Sequence, residues 1–177
     1  MSSVNARHPS VVADQHVVRA SVVVNCSQES AFSTFVGRVA DWWPLQSYSL
    51  GRDQIKTVVV EKRVGGRMYE VRPDGERNWG VITAWNPPHG FVLRWDVISG
   101  PTTSVELTFE KLDDHSTRVS VEHTGWENVD PSLLPSDCNY GEGWRVTLQH
   151  FAEECAKSSG LGPDSVAGHS TTEQPQQ

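Results

Sequence analysis

Apolar and polar residues alternate along most of this chain, and the alternation predicts strands. Across residues 16–24, Val18, Ala20, Val22 and Val24 share one face while Arg19 and Ser21 fall on the other. Residues 55–64 and 67–72 read as two more strands divided by the Gly65-Gly66 turn, and Pro73-Asp74-Gly75 closes the second. Trp79, Val81, Thr83 and Trp85 alternate until Asn86-Pro87-Pro88, where proline stops the run. Phe91, Leu93, Trp95 and Val97 form the next series. Val105, Leu107 and Phe109 then oppose Glu106, Thr108 and Glu110. Beyond a turn at Asp113 and Asp114, Val119 and Val121 oppose Arg118, Ser120 and Glu122.

Helical spacing appears twice. Ser27 reads as an N-cap followed by Phe32, Phe35, Val36 and Val39, and Trp42-Trp43-Pro44 ends that segment because proline disfavours helix in the residue before it. After an irregular stretch at residues 124–139, Trp144, Leu148, Phe151, Ala152 and Cys155 form one apolar stripe. The order is therefore strand, helix, about six strands, helix. Short turns force antiparallel pairing, since parallel pairs need long crossovers. An α+β domain results: a curved antiparallel sheet of about six or seven strands wrapped around a long C-terminal helix, with short helices after the first strand. Aromatic side chains on the inner face leave room for a pocket.

Composition narrows this picture. The 177 residues suit one domain, placed at residues 15–158, with polar tails at 1–14 and 159–177. Three cysteines, Cys26, Cys138 and Cys155, sit at wide and irregular spacings that match neither a disulfide framework nor a zinc site. The N-terminus has no apolar core of a signal peptide, and no apolar run is long enough to insert in a membrane, which points to a reducing, cytoplasmic setting. A formal charge of −7 without a basic stripe argues against nucleic acid. Seven tryptophans are the unusual feature, since each offers a large apolar area and one N–H donor.

A set of motifs then becomes recognisable. It comprises Ala31-Phe32 with Phe35, Asp41-Trp42-Trp43-Pro44, residues 64–70 (Val-Gly-Gly-Arg-Met-Tyr-Glu), Gly80-Val81, Pro87-Pro88 and a strand ending in Trp95. Residues 117–126 (Thr-Arg-Val-Ser-Val-Glu-His-Thr-Gly-Trp) and Gly143-Trp144 with Leu148 and Phe151 complete it. Over about residues 15–158 the chain resembles bacterial homologues of the activator of heat-shock-protein-90 ATPase. These belong to the helix-grip superfamily with START lipid-binding domains, the birch-pollen allergen and polyketide cyclases. It is also similar to enediyne-resistance proteins of that superfamily. Some of those are cleaved sacrificially at a glycine in a β-turn region; the comparable turn here, Leu112-Asp113-Asp114-His115, contains none. The resemblance implies a helix-grip fold around a ligand cavity.

Alternation nominates the residues of that cavity. His123 follows Val119 and Val121 inward, where it could hydrogen-bond a ligand or act as a general base; the competing reading is a histidine satisfied by a backbone carbonyl or a Trp N–H. Trp79, Trp85 and Trp95 share the inward face with aliphatic neighbours and serve either a pocket or plain core packing. Trp43 and Trp126 flank loops and suit the pocket mouth, while Trp144 packs against the sheet. The register at Tyr69 and Glu70 stays open: an inward Met68 carries Glu70 in, and an inward Val71 carries it out. No cofactor or metal is expected. Gly141-Glu142-Gly143 lacks a third glycine at Val146, and His115, His123, His150 and Cys138 lack ligand spacing. The carboxylate pairs Asp113-Asp114 and Glu153-Glu154 read as a turn and a solvated helix face.

These features point to binding of a small hydrophobic or aromatic molecule, for sequestration, stress response or resistance. Two alternatives stand beside it. One is a cyclase-, aromatase- or hydrolase-like enzyme using the same cavity; the other is a co-chaperone of a heat-shock ATPase, for which the chain lacks the second domain that would make the chaperone contact. No nucleic acid or membrane insertion is expected, and a homodimer is left open.

Overall fold

A computed structural model describes residues 10–14, 17–98, 100–134 and 139–159. Strands β1 (Ser10–Asp14) and β2 (Val17–Val24) lead into helices α1 (Gln28–Gly37) and α2 (Val39–Trp42). A long loop reaches β3 (Thr57–Val60), followed by β4 (Arg67–Arg72), β5 (Gly75–Asn86), β6 (Gly90–Trp95), β7 (Thr103–Asp113) and β8 (Ser116–Thr124). Helix α3 (Tyr140–Ser159) ends the described chain. Among the described residues no helix is long and apolar enough to cross a membrane.

All pairings are antiparallel, in the order β1-β2-β8-β7-β6-β5-β4-β3. Strands β2 to β8 form the seven-stranded curled sheet expected of the pattern. The structure adds an eighth, β1, inside the segment assigned to the N-terminal tail; it pairs along β2 from Ser10 with Ser21 to Asp14 with Val17. The C-terminal tail beyond Ser159 lies outside the described residues. The strand expected over residues 55–64 is confined to Thr57–Val60, because the chain turns away before Gly65.

Helix α1 starts where the sequence indicates, with the Ser27 side chain accepting from the Ser30 amide at 3.2 Å. Gln28, in its first turn, is buried and donates to the Phe109 carbonyl at 2.7 Å, tying the helix to β7. The apolar stripe of α3 faces the concave side of the sheet: Trp144, Leu148, Phe151 and Cys155 are all buried. Burying side chains such as Leu148 and Phe151 stabilises the fold by roughly 1.5–3 kcal/mol each, the main force holding α3 down. Glu154 departs from the expected solvated face. It is buried, and Arg38 at the end of α1 donates to it at 2.6 Å.

Strand β5 does not alternate simply. Pairing passes from Met68–Gly80 to Tyr69–Asn78 on one side, and from Ile82–Leu93 to Ala84–Val92 on the other, leaving Trp79 and Thr83 as extra residues. Each such bulge reverses the facing of the residues beyond it. Trp79 and Trp85 therefore both lie inward, but Ile82 between them is buried while Thr83 is exposed and Val81 pairs with the outer residues Arg67 and Arg94. Gly80 is needed at the first bulge, because a Cβ there would collide with the Arg94 carbonyl oxygen.

Candidate functional site

Inside the sheet the aromatic side chains form two groups. One surrounds α1: Phe32 meets Trp85, Phe91 and Phe109 at ring-centroid distances of 5.2, 6.2 and 5.1 Å, and Phe35 meets Phe151 at 5.2 Å. The other lies between the first turns of α3 and strands β5 and β6. There Trp43 meets Trp79 at 5.1 Å and Trp144 at 5.7 Å, and Trp95 meets Trp144 at 5.8 Å. Adjacent Trp42 and Trp43, 5.5 Å apart, join the groups.

The second group walls a cavity of about 520 Å³, within the roughly 300–1,000 Å³ typical of small-molecule sites. Trp43, Trp79, Trp95 and Trp144 line it. Each indole N–H is committed to a partner: Trp43 to the Tyr48 carbonyl at 2.7 Å, Trp79 to Glu70 Oε2 at 2.8 Å, Trp95 to the Tyr140 hydroxyl at 3.4 Å and Trp144 to His123 Nδ1 at 3.1 Å. The four indoles therefore offer the cavity carbon and π surface, with their donors already satisfied. Thr147, also lining it, spends its hydroxyl on the Gly143 carbonyl at 2.7 Å. Three of the most exposed large apolar side chains, Tyr48, Leu50 and Leu133, also line the cavity. Arg52 is the one charged side chain among the described lining residues.

Four nominated residues lie elsewhere: Trp85, Trp126, His123 and Glu70. Trp85 belongs to the α1 group. Trp126 packs on His123 and Tyr140, at 4.4 and 4.7 Å, rather than at the mouth. Trp43, expected at the mouth, is 7% exposed and part of the inner wall.

His123 is fully buried behind that wall. Because Trp144 donates to Nδ1, that nitrogen carries no proton; the ring is the Nε2–H tautomer and donates to Thr103 Oγ1 at 2.7 Å. Burial pushes its pKa down to about 3. Both nitrogens are engaged and the ring is neutral, so the arrangement matches the satisfied core histidine rather than a general base facing a ligand.

Glu70 is also fully buried and outside the lining, which settles the register: Met68 and Glu70 face in, and Tyr69 faces out under the Arg67 guanidinium at 4.1 Å. Its carboxylate accepts from Trp79, from the Leu50 amide at 3.1 Å and from Arg72 Nε at 2.6 Å. A buried charge needs this degree of pairing. Gly51 lies directly on the ion pair, where an added Cβ would come within 2.9 Å of Glu70 Oε1 and collide with Arg72. Glu70 thus anchors the loop that supplies Ser47, Tyr48, Ser49, Leu50 and Arg52 to the cavity. No periodicity marks that loop. Its contribution, with that of Leu133, Leu134, Asn139 and Tyr140 from the irregular stretch before α3, was invisible to pattern reading.

Residues 26–156 match the family described as activator of Hsp90 ATPase homolog 1-like protein. The chain belongs to that family. Its fold is the helix-grip fold, and it resembles solved proteins of quite different description. It is 31% identical to an anthrahydroquino-gamma-pyrone synthase, Txn09, over 78% of this chain and 96% of that one, with a TM-score of 0.52. It is 26% identical to CalC, a self-sacrificing resistance protein from Micromonospora echinospora, over 81% of this chain and 96% of that one, with a TM-score of 0.63. A protein from Arthrobacter aurescens, 16% identical over 93% of this chain and 98% of that one, shares the fold, with a TM-score of 0.59. No curated protein matches the chain.

Proposed function

We propose that this chain binds a small hydrophobic or aromatic molecule in the cavity between its sheet and α3. The observation that carries this reading is the wall of four indoles whose N–H groups are all turned to protein partners. Such a surface favours flat apolar rings through dispersion and offset stacking, and leaves no unsatisfied indole donor when empty. Likeness to a synthase of a polycyclic aromatic compound and to a resistance protein supports the same ligand class. Sequestration fits this reading better than sacrifice, since the β7–β8 turn, with Asp113, Asp114 and His115, carries no glycine.

Native mass spectrometry of the full chain after incubation with hydrophobic metabolite extracts tests the proposal. A retained small molecule at one-to-one stoichiometry is expected. A protein that emerges empty from every extract overturns it.

The 31% identity with Txn09 favours one second reading, catalysis of a cyclase type in the same cavity. His123 is a poor base for it, being buried behind the wall with both nitrogens engaged. Polar groups that border the cavity, Tyr48, Arg52, Asn139 and Tyr140, would have to supply the chemistry. Turnover of an aromatic polyketide substrate that survives His123→Gln and is lost in Tyr140→Phe would support this reading.

A further inference from the structure

The cavity has one charged feature that apolar binding does not use. Arg52 lines it, is exposed, and has no ion-pair partner among the described residues. Its situation is unusual on a chain where most other arginines are paired: Arg19, Arg38, Arg63, Arg67, Arg72, Arg77, Arg94, Arg118 and Arg145 each meet a carboxylate.

The backbone at Arg52 is equally distinctive. Among the described residues it is the one non-glycine residue at positive φ, at 50°. A side-chain-bearing residue in the left-handed region is strained and persists where its surroundings hold it. They do so here from both sides. The Arg52 amide donates to Ser49 Oγ at 2.9 Å, and the two preceding residues are fixed by the buried Glu70–Arg72 pair, through the Leu50 amide and the close seat of Gly51. A conformation favouring glycine is therefore maintained at an arginine, beside a cavity whose other described walls carry no charge.

We infer that the preferred occupant is a planar aromatic anion, its rings against Trp43, Trp79, Trp95 and Trp144 and its acidic group at the Arg52 guanidinium. This inference rests on the binding reading above and specifies its ligand class: fused or linked aromatic rings bearing a carboxylate or sulfonate. Guanidinium is suited to such groups because its fixed fork of donors matches two oxygens at once. The protein's net charge of −7 works against an anion at long range. That repulsion is screened beyond roughly 8 Å at physiological salt, whereas a direct contact is not. Any preference for an anion must then come from the local cation.

Two fluorescent probes with the same rings separate the terms: anilinonaphthalene sulfonate and its uncharged counterpart N-phenyl-naphthylamine. Dissociation constants are read from energy transfer out of the indoles, for the full-length chain and for Arg52→Gln and Arg52→Lys. The native protein is expected to hold the sulfonate about tenfold more tightly than the neutral probe. Arg52→Gln should abolish that preference by weakening the sulfonate alone, and Arg52→Lys should keep most of it. Equal affinity of the native protein for both probes overturns the inference while leaving cavity binding intact. So does an equal loss of both probes in Arg52→Gln with the thermal midpoint unchanged, which would mean that Arg52 shapes the loop rather than reading charge. If the native protein binds neither probe, the underlying cavity reading fails with it.

Discussion

The Trp144 indole donates its proton to His123 Nδ1 across 3.1 Å, and this one bond fixes the chemistry of both residues. It holds the histidine in a single neutral tautomer facing Thr103, and it turns the indole so that only its carbon surface is presented to the cavity.

Stability should therefore depend on pH. The pKa of His123 drops from an ordinary value of 6.5 to about 3 on folding, so between these limits the unfolded chain takes up a proton that the folded chain refuses. Stability from this source is complete above about pH 6.5 and declines as pH falls toward 3, by about 2 kcal/mol at pH 5. Urea unfolding near neutrality and near pH 5 measures it. His123→Gln, which can still accept from Trp144 and donate to Thr103, should be less stable at neutrality but show a shallower pH dependence. Identical slopes for the two proteins would assign the effect to another group.

Glu70 should be the most sensitive polar position. Glu70→Gln removes the charge facing Arg72 and turns an NH₂ group toward one of the donors now satisfied by an oxygen. Breaking a buried pair in this way costs about 3 kcal/mol, lowering the thermal midpoint by roughly 6–12 °C. Because Leu50 and Gly51 lose their anchor, amide exchange in the loop before β3 should accelerate beyond what the global loss of stability explains. A variant as stable as the native chain would refute the anchoring role.

Gly143 offers the opposite sign. It lies inside α3, and an added Cβ would approach the Tyr48 ring at 3.3 Å, a side chain 37% exposed and free to yield by a few tenths of an ångström. Alanine is favoured over glycine in a helix by about 1 kcal/mol, so Gly143→Ala should raise the thermal midpoint slightly while moving Tyr48 outward. A lower midpoint would show that Tyr48 cannot give way.

Two tryptophans of similar sequence context should behave differently. Trp95 lines the cavity, whereas Trp85 packs on Phe32 and Phe91 at 5.2 and 5.7 Å, away from it. Leucine at either position costs about 2 kcal/mol of stability. Only Trp95→Leu should weaken N-phenyl-naphthylamine, by about tenfold. Equal losses in the two variants would place the probe outside the indole-lined cavity.

The sequence by itself determined the elements and their pairing sense. Apolar spacing marked β2, α1, β7, β8 and α3, Ser27 marked a helix start, and the short turns required an antiparallel sheet, because periodicity and turn chemistry are properties of neighbouring residues. The edge strand β1 was not legible, since the short apolar run Val11-Val12-Ala13 carries no period of its own and its pairing depends on β2. Tertiary structure alone decided which aromatic residues border the cavity. Alternation set Trp79 and Trp85 on one face as equals, yet curvature and the two bulges of β5 send one to the cavity and the other to α1. Inward facing brought His123 and Glu70 into the interior, but whether they meet a ligand or another side chain was settled by Trp144, Thr103, Trp79, Leu50 and Arg72. Most of these bonds join different elements of the fold; Arg72, two residues from Glu70 on β4 and on the same face, is the local exception. A buried donor must find an acceptor wherever the fold brings one, and local pattern carries no record of that choice.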